Sequence, residues 1–169
     1  MALFEKLKTP EEIFSFKLGS ALSMERTVLE TLEDVQKETN RAEIRQLAEA
    51  HTAETQRHIE RIEQSFRLLG EDVDDSPSPA MQGLQKEAKA TLKKIDDPIK
   101  DAGIFAGMIE TEHYEIAVYE ILVTNAEARG ANDVAALLQQ NLDEELRTLD
   151  AVKELAGSIA KGEGYAVTT

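Results

Sequence analysis

The sequence predicts an all-α protein, a bundle of four long helices with a long crossover between the second and third. Three observations predict it. Apolar residues recur at helical spacing over four long stretches, proline and glycine signals punctuate those stretches, and strand-like alternation is absent. With 169 residues the chain is long enough for one domain with a sizeable core and short for two. We expect residues 1–161 to form a single helical domain and residues 162–169 a frayed C-terminal tail.

The first helix is expected from Pro10 to Glu38. Thr9 offers a capping hydroxyl, Pro10 takes the first helical position, and Glu11 and Glu12 complement the helix dipole. Its apolar stripe of Phe14, Leu18, Leu22, Val28, Leu32 and Val35 is interrupted by Glu25. Asn40 with Glu43 resembles a capping box for a second helix, Arg41 to Leu69, closed by Gly70. The inward face of that helix carries His51, Glu54 and His58, a spacing that puts all three on one side within about two turns. Residues Glu71 to Pro79 read as an acidic surface loop, and a lesser helix follows from Met81 to Ile95. A connection this long between two long helices is far above the usual helix–helix link and implies a crossover along the outside of the bundle. Asp97 and Pro98 repeat the cap-then-proline signal for a third long helix reaching Arg129, and Asn132 is placed to cap the fourth.

Composition excludes several functions. There is no cysteine, so thiolate metal sites and disulfides are ruled out, and any metal must be held by oxygen and imidazole nitrogen. The net charge of −14 opposes binding to nucleic acid, which rewards Lys and Arg. No window approaches the roughly 20 apolar residues of a membrane span, and no signal-peptide pattern opens the chain. We therefore expect a cytoplasmic protein with no membrane partner. Most of its 33 acidic residues are expected to be solvated helix faces. Phosphate-binding loops and nucleophile elbows are also missing.

The acids on apolar stripes are different. Glu112 and Glu115 share a helix face with Phe105, Met108, Tyr119 and Leu122. A buried carboxylate costs several kcal/mol unless it meets a positive charge, a shared proton or a metal. The two halves of the chain can also be superposed, with Glu25 opposite Glu112 and Glu54 opposite Glu144. In that register His51 falls opposite Asn141 and His58 opposite Thr148, while Glu115 stands where the first half has Val28. The fourth helix offers two acids. Glu145 lies nearer the middle of the apolar stripe, but Glu144 matches Glu54 in the repeat and is ranked ahead; both are kept. The candidate metal ligands are thus Glu25, His51, Glu54, His58, Glu112, Glu115, Glu144 and Glu145. Each His has a competing role as a group that orients a neighbouring carboxylate. His113 points about 100° away from Glu112 and reads as a surface residue. Tyr119 is expected to hydrogen-bond a ligand carboxylate or to be an ordinary core tyrosine. Four helices that each turn an acid inward match the ferritin-like di-iron and di-manganese bundles, and the oxygen and nitrogen donors suit two iron or manganese ions.

The blocks His51-Thr-Ala-Glu54-Thr-Gln-Arg-His58, Glu112-His-Tyr-Glu-Ile-Ala-Val-Tyr119 and Leu142-Asp-Glu-Glu-Leu146 resemble the ferritin-like YciE/YciF family of bacterial proteins over about residues 10–158. The resemblance implies a stress-associated, rubrerythrin-like, dimeric bundle with a candidate dinuclear site, in a family without one defined reaction. The chemistry we expect of such a site is oxidation of ferrous iron by oxygen or peroxide; catalytic residues and the electron donor stay unassigned. The chain departs from rubrerythrin in two respects, one being that it carries no rubredoxin-like cysteine domain to deliver electrons. Rubrerythrins carry Glu-x-x-His on the second and fourth helices, whereas here Glu54 is followed by Arg57 and Glu145 by Thr148. The rival readings are a metal-free structural or interaction bundle, with the acids sharing protons or paired with Arg57, Arg61 and Arg147, and metal storage in a larger assembly.

Overall fold

A computed structural model describes residues 6–162. The described residues form five α-helices and one 3-10 turn: α1 (Pro10–Glu38), α2 (Ala42–Leu69), α3 (Pro79–Leu92), the 3-10 turn (Asp97–Ile99), α4 (Lys100–Ala128) and α5 (Asn132–Gly162). No strand occurs among them, and none of these helices is long and apolar enough to cross a membrane. Of the expected tail, Gly162 ends α5, and residues 163–169 lie outside the described residues.

The first helix begins as its sequence dictates. The Glu12 amide donates to the Thr9 hydroxyl, and the Glu12 carboxylate accepts from the Thr9 amide, closing a capping box. The second does not. Asn40 is exposed and makes no capping bond; instead the Thr39 hydroxyl accepts the Arg41 N–H, and Arg41 becomes the cap of α2 with no side-chain bond to the helix. The Thr39 side chain is buried, and it also donates to Asp101 of α4, so a tertiary contact fixes the hydroxyl that takes the Arg41 N–H and leaves Asn40 outside the cap. Gly70 ends α2 in the left-handed conformation, as its sequence position implies. The third helix starts two residues earlier than expected, at Pro79. Asp97 and Pro98 lie in the 3-10 turn before α4, where no aspartate side chain caps the helix.

α1 packs on α2, α2 on α5, α4 on α5 and α1 on α4, so the long helices enclose one apolar core that includes Leu18, Leu22, Ile44, Ile62, Phe66, Leu122, Leu138 and Val152. The short α3 lies against α4 and α1. Its Met81 is buried, Gln85 donates to Thr31 of α1, and Ser78 meets the Tyr114 hydroxyl of α4.

The acidic segment before α3 is more tightly held than a surface loop need be. Arg26 pairs with Asp75 at 2.9 Å, Ser15 donates to Glu71, and Ser20 donates to the Pro77 carbonyl. Gly19 makes this close approach possible: a Cβ there would stand 2.9 Å from the Asp74 carbonyl oxygen and 3.1 Å from the Ser76 amide nitrogen. Both are backbone atoms and cannot rotate away. Gly19→Ala is therefore expected to destabilise the protein by about 1–3 kcal/mol, seen as a lower urea midpoint with an unchanged slope. A midpoint equal to wild type would show that the loop is not seated on α1.

Candidate metal centre

The carboxylates that interrupt the apolar stripes meet in the middle of the bundle. Glu25 comes from α1, His51 and His58 from α2, Glu112 and Glu115 from α4 and Glu145 from α5, and none is more than 2 % exposed. Long helices can bring them together because each residue lies on the same face as its helix's core residues. They form two overlapping groups. His51, Glu112, Glu115 and Glu145 offer ligand atoms all within 4.8 Å of one another, and so do Glu25, His58 and Glu145. Glu145 belongs to both.

Each imidazole presents one nitrogen to these groups and the other to a carboxylate outside them. His51 Nε2 lies 3.3 Å from Glu112 and 3.8 Å from Glu145, while its Nδ1 is 3.7 Å from Glu54. His58 Nδ1 lies 3.0 Å from Glu145 and 3.6 Å from Glu25, while its Nε2 is hydrogen-bonded at 2.9 Å to Glu144. Glu54 and Glu144 thus occupy matching places, as the internal repeat implies, but behind the histidines and not among the inner acids. Arginines explain why. Glu144 accepts from Arg61 at 2.9 and 3.1 Å, and Glu54 has Arg57 at 3.7 Å and accepts from the Thr148 hydroxyl at 3.2 Å. The ranking of Glu144 ahead of Glu145 does not match this geometry: the side chain of Glu144 is turned to Arg61, and the fully buried Glu145 joins both groups. His113 is exposed.

The core end of the site is also braced. Tyr119 donates its hydroxyl proton to Glu25, Asn141 donates to the Tyr119 oxygen at 3.0 Å, and Arg61 donates to the Asn141 amide oxygen at 2.9 Å. A chain of hydrogen bonds therefore runs from an arginine at the edge of the bundle to a buried carboxylate. The part played by Asn141 was not evident from the sequence. Its one signal was a polar residue on the apolar stripe of α5, in the repeat register of a histidine.

What the site lacks is positive charge. Eight buried side-chain atoms have no hydrogen-bond partner: one oxygen each of Glu25 and Glu112, both of Glu115 and Glu145, and one nitrogen each of His51 and His58. Glu145 Oε1 and His58 Nδ1 are among them despite their 3.0 Å separation, because that contact does not have hydrogen-bond geometry. Without a cation, protons must compensate. Burial raises the Glu115 carboxyl far above the usual range, with Glu145, Glu25 and Glu112 adding to the effect. Burial also lifts Glu145, to about 8, against the opposing influence of His58. For His58 burial disfavours the charged form, but Glu25 and Glu145 outweigh it and push the imidazolium up to about 10. His51 is raised in the same way, burial opposing and Glu112 prevailing. The outer acids go the other way. Contact with His51 lowers Glu54, and Arg61 lowers Glu144 despite the burial that works against it.

The donor set fits a pair of divalent cations. Four inner carboxylates would balance two doubly charged ions with both imidazoles neutral, and Glu145 belongs to both groups. Oxygen and imidazole donors favour metals such as iron and manganese.

The comparisons agree over nearly the whole chain. Protein YciF of Escherichia coli K12 is 32% identical over 152 residues, covering 89% of this chain and 92% of that protein. The crystal structure of the same E. coli stress protein superposes with a TM-score of 0.85 at 31% identity, over 94% of this chain and 99% of that one. YcfI of Rhodopseudomonas palustris, provisionally described as a structural protein, gives 0.86 at 31% identity over 90% and 98% of the two chains. A Xanthomonas campestris protein at 20% identity shares the fold, with a TM-score of 0.73 over 91% of this chain and 95% of that one. The profile described as Domain of unknown function (DUF892) matches residues 9–163, and with these relatives it shows that the chain belongs to the DUF892 family.

Proposed function

We propose that this chain is a ferritin-like protein holding a dinuclear centre of two divalent iron or manganese ions, with oxidation of ferrous iron by dioxygen or peroxide as its chemistry. One observation carries the reading: eight unpartnered buried polar atoms, all on six side chains that converge within ligand distance. When bound, such a pair of ions supplies electrons to dioxygen or peroxide. The protein's own residues do the rest. His51, Glu112 and Glu115 would hold one ion and Glu25 and His58 the other, with Glu145 shared. Glu144 is hydrogen-bonded to the far nitrogen of His58, and the far nitrogen of His51 meets the Thr148 hydroxyl with Glu54 3.7 Å away, and these contacts would fix which nitrogen faces the metal. Tyr119 and Asn141 hold Glu25 in place. The surrounding core keeps water from the site and lowers the local dielectric.

The alternative is a metal-free structural bundle, which the description of the R. palustris relative favours. It requires the acids to be paired or to share protons. Arg57 and Arg61 do reach carboxylates, but only Glu54 and Glu144, and the four inner ones keep no arginine or lysine partner among the described ion pairs. This distribution supports the metal reading. A stress-related role belongs to the same proposal on the strength of the E. coli relative, and a cytoplasmic setting and a homodimer belong to it on the family resemblance alone.

Elemental analysis of protein produced in metal-replete medium should find about two transition-metal ions per chain. Glu145→Gln should lose both, because both groups need that carboxylate. Glu144→Gln should keep both with an affinity about 10–100-fold weaker. Metal-free wild-type protein whose melting temperature does not move on addition of anaerobic Fe(II) or of Mn(II) would defeat the proposal, since at a hundredfold excess over Kd each bound ion should add about 2.7 kcal/mol.

The pH dependence of stability should invert on loading. In the metal-free protein, Glu145 is raised from 4.5 to about 8 and His58 from 6.5 to about 10, and Glu115 and His51 move the same way. A group raised in the folded state favours folding while it holds its proton and loses that contribution as pH rises through the folded value. Metal-free protein should therefore become less stable between about pH 6 and 9, and metal stabilisation should grow over the same interval because the ions displace those protons. Parallel pH profiles for the loaded and metal-free forms, from chemical denaturation, would contradict the assignment.

A further inference from the structure

We infer that the cavity beneath α3 receives a small apolar molecule, dioxygen, and delivers it to the His51 and Glu112 side of the cluster. The inference rests on the proposed metal centre and assigns the oxidant a separate place to bind. The cavity holds about 50 Å³ and lies between α1, α3 and α4. Its walls include Leu32 and Val35 of α1, Ala88 and Leu92 of α3, and Gly107 and Met108 of α4. At its inner end are His51 and Glu112, each with a buried polar atom that has no hydrogen-bond partner.

The walls select against polar molecules. Water remains in a buried cavity when it finds two to four polar partners, and apolar cavities stay dry and bind apolar guests. The lining is mostly apolar, and of its polar residues Gln85 already donates to Thr31, so peroxide would have to give up most of its hydrogen bonds to water on the way in, whereas dioxygen has none to lose. The outer end meets a more open groove, of about 480 Å³, at Asp34, Lys89 and Leu92, which line both spaces. There Lys89 pairs with Asp34 at 3.0 Å, placing a charged latch over an uncharged path. The helix that roofs the cavity is spaced by small residues: a Cβ on Gly107 would lie 3.3 Å from the Ala88 Cβ.

A second, more open groove also reaches His51. It lies between α2 and α5 and is lined by Leu47, Ala50 and Ala151 together with Glu54, Arg147 and Thr148, so unlike the cavity it brings charged side chains to the imidazole from solvent. Both spaces reach His51, and only the groove between α2 and α5 offers a charged pair of side chains, Glu54 and Arg147, beside it to a polar oxidant or a metal ion.

Two measurements test the inference. Crystals of metal-free protein under xenon pressure should show an anomalous peak among Leu32, Ala88, Leu92 and Met108, absent in Ala88→Leu. In stopped flow with anaerobically loaded Fe(II), Ala88→Leu should slow oxidation by dioxygen about tenfold or more while oxidation by peroxide changes by less than about twofold. Leu92→Trp fills the outer end and should give the same pair of results, which covers the case in which Ala88→Leu does not fold. No xenon in wild type overturns the inference, as does an unchanged dioxygen rate, or equal slowing with both oxidants, in a variant that binds two irons and excludes xenon. Failure of the chain to bind iron overturns the metal centre instead, and the xenon measurement then still decides whether the cavity accepts an apolar guest.

Discussion

The uncompensated negative charge at the centre of the bundle is the constraint on which the other features depend. Glu25, Glu112, Glu115 and Glu145 are withdrawn from water by the same helical faces that build the core, and nothing among the described residues gives them a fixed cation. In the absence of metal, the two histidines and added protons restore balance, which is why the titrations of Glu115, Glu145, His51 and His58 all shift toward the protonated form. Apolar residues of similar size would make a more stable core. The retention of six polar side chains there, of which only Glu25, His51 and His58 are held by hydrogen bonds to further groups, is what a binding site costs a fold.

Around that centre the charges are sorted by depth. The inner acids face one another and the imidazoles; the outer acids, Glu54 and Glu144, face the imidazoles on one side and Arg57 and Arg61 on the other. Placing the arginines one layer out keeps guanidinium groups from neutralising the carboxylates that would bind metal, while still anchoring the histidine rings. Asn141 and Tyr119 extend the same principle to Glu25 without adding charge.

Much of this could be read in the sequence. The helical periods, Thr9 with Glu12, and Gly70 define α1 and the end of α2 through local chemistry, and the structure follows them. Each inner acid was visible because a charged residue on an apolar stripe is conspicuous. Other features depend on contacts distant in sequence. Asn40 does not cap α2 because the Thr39 hydroxyl, which donates to Asp101 62 residues further along the chain, accepts the Arg41 N–H instead. Glu144 and Glu145 are adjacent, so periodicity separates them by about 100°, and only the position of Arg61 on α2 shows which is drawn outward. The superposed halves located the outer acids correctly as equivalents, but equivalence in a repeat does not say whether a pair lies within the cluster or behind it. The cavity under α3 was not legible at all, since it depends on how a short helix with one buried residue rests on two long ones.

The two groups within the cluster are unequal. One offers an imidazole and three carboxylates, the other an imidazole and two, with Glu145 counted in each. Ions held there would not be interchangeable: the position nearer α4 carries the greater negative charge and would fill first, and the second would remain the more readily exchanged.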